Sequence, residues 1–592
     1  QVAWVDNSTL GNNFFSTGLT TADQMLDTPT DNFCVLSPID KSSSITLSDG
    51  NLVARNASTN SWNHGRGTLF APSGKWYYEW IPTAGTYAEA GWMLNVSGND
   101  YREEESDVAT AYYRGVGAAG HGFNIGSATT NASVTNFSLN DVIMMAIDVD
   151  SMKMWVGING TWYNSGDPAG DSNPVGTWTD AIGQSVAPWY GCFNGTTESF
   201  NFGQRPFAHT IPTGFNSWNT ANLPTPTIAD GSKYFQPVLY TGTTSAFDVT
   251  FSGNSDLAPD WLWFKTRATQ SDHFLFDKLR GVNQTISSND TTAEVTSTGS
   301  MTAFGTDGFS LGDGGSDNDI NGVSGTTYVA WGWAANGAGS ANTDGSINTN
   351  KTSANATAGF SVIEWSGTAA NGTIGHGLGI QPSLYIVKNT ATTNSWMVGS
   401  TLYANTKFLN LNATAALDTA AAVWNSTYPT SSVINLGSNV GSNGSGTNNM
   451  ICYAFAEIPG YSSIGSYTGN GSTDGPFVYT GFTPRYVLFK RTNAAESWPI
   501  LDTARGSSFG ADAGTGGDNP TAANDLNNVL VASTIAAEED NSSGSRKASF
   551  NSNGFKVRTT NTAMNGSGST YIYMAFAEHP FGGDGVAPAT AR

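Results

Sequence analysis

PDWLWFK (259–265), PSLYIVK (382–388) and PRYVLFK (484–490) read as one strand written three times. In each, a Lys stands six residues after the Pro, and the apolar residues between them change. A second apolar segment follows each in turn: TTYVAWGWAA (326–335), NNMICYAFAE (448–457) and STYIYMAFAE (569–578). Fixed spacing with drifting apolar identity marks a duplicated unit. Ala334, Ala456 and Ala577 recur at intervals of 122 and 121 residues, so the three units should share one fold and one strand order. An array of small β units suits display and reach better than a single catalytic pocket.

Working outward, the 592-residue chain is long enough for several domains. Its 25 Lys and Arg against 47 Asp and Glu leave a net charge of −22, which argues against nucleic acid as a partner. The Gly, Ser, Thr and Asn content would suit a disordered chain. Aromatic residues at 12% oppose that, because large rings supply burial that disordered chains lack. A rigid, turn-rich, all-β protein is predicted, since no helical period persists beyond about ten residues except over 414–424. Cys34, Cys192 and Cys452 are too few and too scattered for a disulfide framework or a zinc site, and read as small buried hydrophobes. No apolar run reaches the length of a membrane helix. The opening QVAWVDNSTLGNN lacks the basic start and apolar stretch of a signal peptide.

The punctuation divides the chain as follows. Residues 1–32 form an N-terminal segment, 33–210 a first β domain, and 211–232 a linker marked by Pro224 and Pro226. Residues 233–336, 353–459 and 460–580 are the three repeats. A Gly/Ser/Asn linker, 337–352, separates the first two, and 581–592 is a tail.

In the first domain, GKWYYEW (74–80) alternates Trp76, Tyr78 and Trp80 against Tyr77 and Glu79. AIDVDSMKMWVGINGTW (146–162) is a hairpin turning at Asp148–Ser151, and FNFGQRPF (200–207) closes the domain. These three motifs, in this order, resemble the SPRY domain. That resemblance implies a bent β-sandwich that binds partners through loops at one end and catalyses nothing. The corresponding stretches here are 99–115 and 160–180, rich in aromatic residues. The expected binding residues are Tyr101, Arg102, Tyr112, Tyr113, Trp162 and Tyr163, with rings to stack on sugars and a guanidinium for an acidic group.

Repeats one and three share Asp-x-x-Arg-Gly, as Asp277…Arg280-Gly281 and Asp502…Arg505-Gly506; the second repeat lacks it. A pair missing from one repeat is expected to lock a loop rather than to catalyse. An SPRY-like domain followed by this repeat resembles large virion proteins of marine tailed bacteriophages, with TTYVAWGWAA, NMICYAFAEIPG, YIYMAFAEHPFG and FNSWNTANLPTPTI carrying the likeness. The resemblance implies a virion location and surface display.

No His pair, nucleophile elbow or phosphate loop stands in a catalytic context. DNDING (317–322) offers Asp317, Asp319 and Asn321 as the first half of a calcium loop, but the twelfth position is Tyr328 where a Glu is wanted. No metal or cofactor is assigned. The expectation is a non-enzymatic virion surface protein, a tail fibre or spike that recognises a host glycan or protein. It would touch other virion proteins and work as a homo-oligomer, a trimer first. The rival expectations are a structural capsid decoration or tail-associated protein, and a host-glycan depolymerase.

Overall fold

A computed structural model describes the chain apart from residues 1–2, 5–13, 16–25, 27–30, 59, 86, 96–109, 116–121, 127, 132–135, 314–319, 447, 507–524, 541–545 and 581–592. The protein is all-β. Its contacts divide it into two compact units that part between Thr225 and Pro226, inside the stretch expected as a linker.

The first unit is a sandwich of two sheets. One sheet orders its strands Ala128–Asn131, Gly122–Ile125, Thr110–Gly115, Tyr87–Leu94, Val186–Phe193, Trp62–Gly67 and Leu36–Lys41. The other runs through Lys153–Ile158, Ile143–Asp148, Lys75–Ala84, Thr197–Asn201, Val53–Asn56 and Ile45–Ser48. The alternation in KWYYEW decides the packing, because successive side chains of a strand leave on opposite faces. Tyr78 turns inward, its ring 6.0 Å from Trp92 of the facing sheet, and its hydroxyl donates to the Gly91 carbonyl at 2.9 Å. Tyr77 and Glu79 turn outward and are still buried. Phe207 lies 4.9 Å from the Tyr77 ring, and the Glu79 carboxylate accepts the amides of Ala208 and His209. The segment after the last strand thus covers the outer face of this second sheet.

In the second unit each repeat is a sandwich of a larger and a smaller sheet. The larger sheets begin with the same order. In the first repeat it runs Phe235–Thr241, Thr327–Trp333, Trp261–Thr266, Phe274–Asp277, Gln284–Ser287. In the third it runs Ser462–Thr468, Thr570–Pro580, Phe482–Arg491, Pro499–Asp502, Asn528–Val531. The second repeat inserts the same pattern, Phe360–Ser366, Asn449–Phe455, Leu384–Asn389, Met397–Ser400, Lys407–Asn410, behind an extra edge strand, Lys351–Asn355. Residues 337–352, expected as a linker, lead into that edge strand, and Ser340 bridges to Thr352 and Ile347 to Ile374, so the stretch is built into the second repeat. The helical period over 414–424 yields only the four-residue helix Ala421–Trp424.

The three repeats share one apolar core, with Trp261, Trp333, Phe360, Tyr453, Phe455, Tyr486 and Phe576 in a single cluster. They meet in a ring, and the same contacts recur at each meeting. The conserved Lys of each repeat reaches a carbonyl of another: Lys265 to Ile535, Lys388 to Thr291, and Lys490 to Thr414. The ring at the next equivalent position does likewise. His273 faces the Val531 carbonyl, Trp396 donates to Ser287 and Trp498 to Asn410. First touches third, second touches first, and third touches second, which closes the circle.

The Asp-x-x-Arg pairs belong to these meetings. Asp277 bonds Arg280 at 2.6 Å and accepts from the hydroxyl of Tyr453 in the second repeat at 2.8 Å. Asp502 bonds Arg505 at 2.6 Å and accepts from the indole of Trp331 in the first repeat at 2.9 Å. Glu294 and Glu538 complete the two clusters against Arg280 and Arg505. In the second repeat the same positions hold Ser400, Tyr403 and Leu417, and the place of Tyr453 and Trp331 is taken in the third repeat by Met574. Donor, acceptor and counter-ion are absent together. The loop-locking role expected from the sequence therefore extends across the boundary between repeats.

Candidate functional site

The outer face of the first unit's seven-stranded sheet is built differently from its inner face. Strand register places Arg114, Glu89, Gly191 and His64 side by side in one row across four strands. Two residues along, the next row holds Tyr87, Phe193 and Trp62; on the other side lie Tyr112, Gly91, Trp189 and Arg66. The period of two puts all three rows on one face. The small residues Ala88 and Ala90 between them point inward, on the face that also carries Trp92.

The aromatic row is half-buried, with the Phe193 ring 5.3 Å from both Trp62 and Tyr87. Trp62 and Trp189 flank the imidazole of His64 at 6.1 and 5.0 Å, each stacked on it. The Arg114 guanidinium lies 5.2 Å over Trp62 and is paired with Oε1 of Glu89. Beyond His64, Arg66 and Asp40 form a buried ion pair at 2.5 Å.

His64 and Glu89 close over Gly191 in the polar row, which admits no side chain there. A Cβ there would lie 2.7 Å from Cδ2 and 3.2 Å from Nε2 of His64, and 3.0 Å from Oε2 of Glu89. Both Oε2 of Glu89 and Nε2 of His64 are buried without a hydrogen-bond partner among the described residues, as is the indole nitrogen of Trp189. Burial holds the Glu89 carboxyl up at about 7, with Arg114 acting against it. Burial, reinforced by Arg114, drives His64 down to about 4, so its imidazole is neutral at pH 7. Such unmade hydrogen bonds are costly.

The residues expected from the sequence fall elsewhere. Tyr101 and Arg102 lie outside the described residues. Tyr112 and Tyr113, expected on a loop, stand in the strand Thr110–Gly115 and are buried, which corrects that placement. The strand extends through both, so alternation sends Tyr112 to the outer face beside Trp189 and Tyr113 inward against Phe137 at 5.2 Å. The hydroxyls of Tyr113 and Tyr163 meet at 3.3 Å, and half-buried Trp162 sits 6.4 Å from Tyr77 on the opposite sheet. The four described residues are not one surface. Asp317 and Asp319 also lie outside the described residues, while the Asn321 amide donates to the Ser245 and Gly312 carbonyls at 2.9 and 2.6 Å. Sequence reasoning missed Trp62, His64, Glu89 and Arg114. The signal was the alternation in SWNHGRG (61–67) and YAEAGW (87–92), with polar or aromatic residues at every second place.

The second unit carries a cleft of about 430 Å³, bordered by Lys233, Tyr234, Asp256, Asp260, Lys278 and Asn355. Its buried carboxylate, Asp260, is already satisfied by Lys278 at 2.8 Å and by the amides of Ala335 and Gly337. The three buried cysteines are inert, Cys34 being pushed up to about 12 by burial.

No curated protein matches the sequence. Among solved structures, the chain is similar to the SPRY domain of human HERC1, at 12% identity and a TM-score of 0.23, covering 29% of this chain and 99% of that one. It is similar also to the PSpry domain of TRIM65, at 11% identity and a TM-score of 0.21, covering 29% of this chain and 90% of that one. The family described as a domain of unknown function (DUF7483) matches residues 230–580, the three-repeat unit, and the chain belongs to that family.

Proposed function

We propose that this chain is a non-enzymatic surface protein of a tailed-phage virion, part of a tail fibre or spike, and that its first unit recognises a component of the host surface. The observation that carries the reading is the outer sheet face of that unit. Half-buried Trp62, Phe193 and Tyr87 lie beside a row whose Glu89 and His64 have unmet hydrogen-bonding atoms. Rings held on strands offer contact area at little entropic cost, and unmet polar atoms supply discrimination. The resemblance of the sequence to marine phage virion proteins supports the location. A homotrimer belongs to the same proposal, since several copies convert weak contacts into avidity.

The purified chain should compete with intact particles for adsorption to host cells, and gold-labelled antibody should mark the tail. Labelling over the capsid with no competition would replace this reading with the decoration role. Release of reducing sugar ends from host envelope glycan would replace it with the depolymerase. Equilibrium sedimentation showing only monomer at micromolar concentration would remove the trimer.

A further inference from the structure

We infer that Asn336 is a self-modifying site of the second unit. The Gly337 amide nitrogen attacks the Asn336 side chain, Asp260 receives the proton, and the residue is converted to aspartate and isoaspartate.

Asparagine followed by glycine suits this chemistry, since glycine puts no side chain in the way of ring closure. The dipeptide recurs along the chain, and the fold locks most copies. Asn321, Asn443 and Asn565, one in each repeat, are 0% exposed. Each carboxamide is tied at both ends. Asn321 accepts the Thr243 amide and donates to the Gly312 carbonyl. Asn443 accepts the Trp365 indole and donates to Ala370; Asn565 accepts the Asn470 amide and donates to Thr559. Asn159, Asn371 and Asn470 are also bonded through their side chains, and Asn553 is buried. A carboxamide so held cannot turn its Cγ toward the next amide without losing bonds.

Asn336 differs in three respects. It stands exposed in the wall of the cleft of about 430 Å³, and its carboxamide makes no hydrogen bond among the described residues. Its neighbour Gly337, at φ 67°, faces open space: a Cβ there would meet nothing within 4 Å. The Gly337 N–H donates to Oδ2 of Asp260 at 3.2 Å, a residue only 4% exposed. A base must lie within hydrogen-bond reach of the proton it takes, and this carboxylate does. Asn194 is likewise exposed before Gly195, but no carboxylate meets the Gly195 amide among the described residues.

The Gly337 nitrogen bonds to Cγ of Asn336 as its proton passes to Asp260. The Cγ–Nδ2 bond breaks, the leaving nitrogen takes up that proton, and ammonia departs from a succinimide ring. Water then adds to one ring carbonyl and the ring C–N bond opens, the nitrogen regaining a hydrogen. Opening at one carbonyl gives aspartate. Opening at the other gives isoaspartate, which runs the backbone through the former side chain and lengthens the stretch that joins the first repeat to the second. Either product sets a carboxylate in a cleft whose exposed Lys233 has no ion pair among the described residues.

The test keeps the full chain at neutral pH and follows each Asn-Gly by tandem mass spectrometry of its peptides, with isoaspartate assayed alongside. In the folded chain Asn336 should convert at least tenfold faster than Asn321, Asn443 and Asn565, and at least threefold faster than Asn194. In urea these differences should close, because the fold no longer ties the other side chains. Asp260→Asn, which keeps the shape and removes the base, should slow conversion of Asn336 at least threefold. If that variant does not fold, the ratio of Asn336 to Asn194 in the native chain decides the part played by the carboxylate. Equal rates at Asn336 and at the three buried asparagines overturn the inference. So does an Asp260→Asn chain that folds and converts as fast as the native one, or a native Asn336 no faster than Asn194. Differences that persist in urea would trace the selectivity to local sequence and overturn it as well.

Discussion

Glu89 and His64 pull the first unit's stability in opposite directions as pH changes. Glu89 has its pKa raised by burial to about 7, above its unfolded value, so it favours the fold at low pH and loses that contribution as pH rises through 7. His64 has its pKa lowered to about 4, so its contribution is present above its ordinary range near 6.5 and disappears as pH falls toward 4. A carbon-NMR titration should place the Glu89 midpoint near 7. It should move higher in Arg114→Met, because the guanidinium is what holds the carboxyl down. A midpoint near the ordinary 4.5 would mean that the carboxylate is solvated. Little of this could be read in the sequence. The alternation of YAEAGW is visible there, but the row is assembled from four strands, and register across strands is not written in any one of them.

Among the elements, the strand that ends in Asp502 shows how a local pair becomes a bond between repeats. The Asp-x-x-Arg-Gly signature and its absence from the second repeat are plain in the sequence. The partner indole, Trp331, lies 171 residues away and could not be inferred from spacing. Asp502→Ala should destabilise the second unit by about 3–5 kcal/mol, because it strands a guanidinium whose side chain is 0% exposed. Glu538, 3.1 Å from Arg505, keeps the loss toward the lower figure. Ser400→Ala at the equivalent place removes two neutral bonds, to the Ser383 carbonyl and from the Leu402 amide, and should cost about 1–2 kcal/mol. Urea unfolding at constant pH compares the two; equal losses would contradict the clamp. Ser400→Asp alone should destabilise as well, since neither Tyr403 nor Met574 offers the new carboxylate a cation, and the Tyr403 hydroxyl already donates to the Val398 carbonyl.

For the molecule as a whole, the sequence predicted the duplication and the shared strand order, and the structure has both. What it could not convey is where the aromatic wealth is spent: the largest fully buried side chains are all tryptophans, and several of them lie where repeats meet. Trp261 stacks on Tyr453 of the next repeat at 4.4 Å, and Phe576 of the third lies 5.0 Å from Phe235 of the first. The first and second repeats also enclose smaller cores of their own, but the core common to all three should make them unfold as one cooperative transition. In scanning calorimetry, the van't Hoff enthalpy of the second unit's peak should match its calorimetric enthalpy. Three separable peaks would mean independent domains.

The closed ring also bears on the order in which the chain is made. Two of its three seams join neighbours along the polypeptide. The last joins Arg267 to Glu538, partners 271 residues apart, and cannot form until the third repeat has left the ribosome. Until then Trp331 has no carboxylate to meet and His273 no carbonyl, so the leading repeat waits with an apolar flank uncovered. Closing so long a loop costs only slowly growing entropy once all three parts are present. The hazard is one of timing: during synthesis, the equivalent flank of a neighbouring nascent chain is as good a partner as the chain's own third repeat.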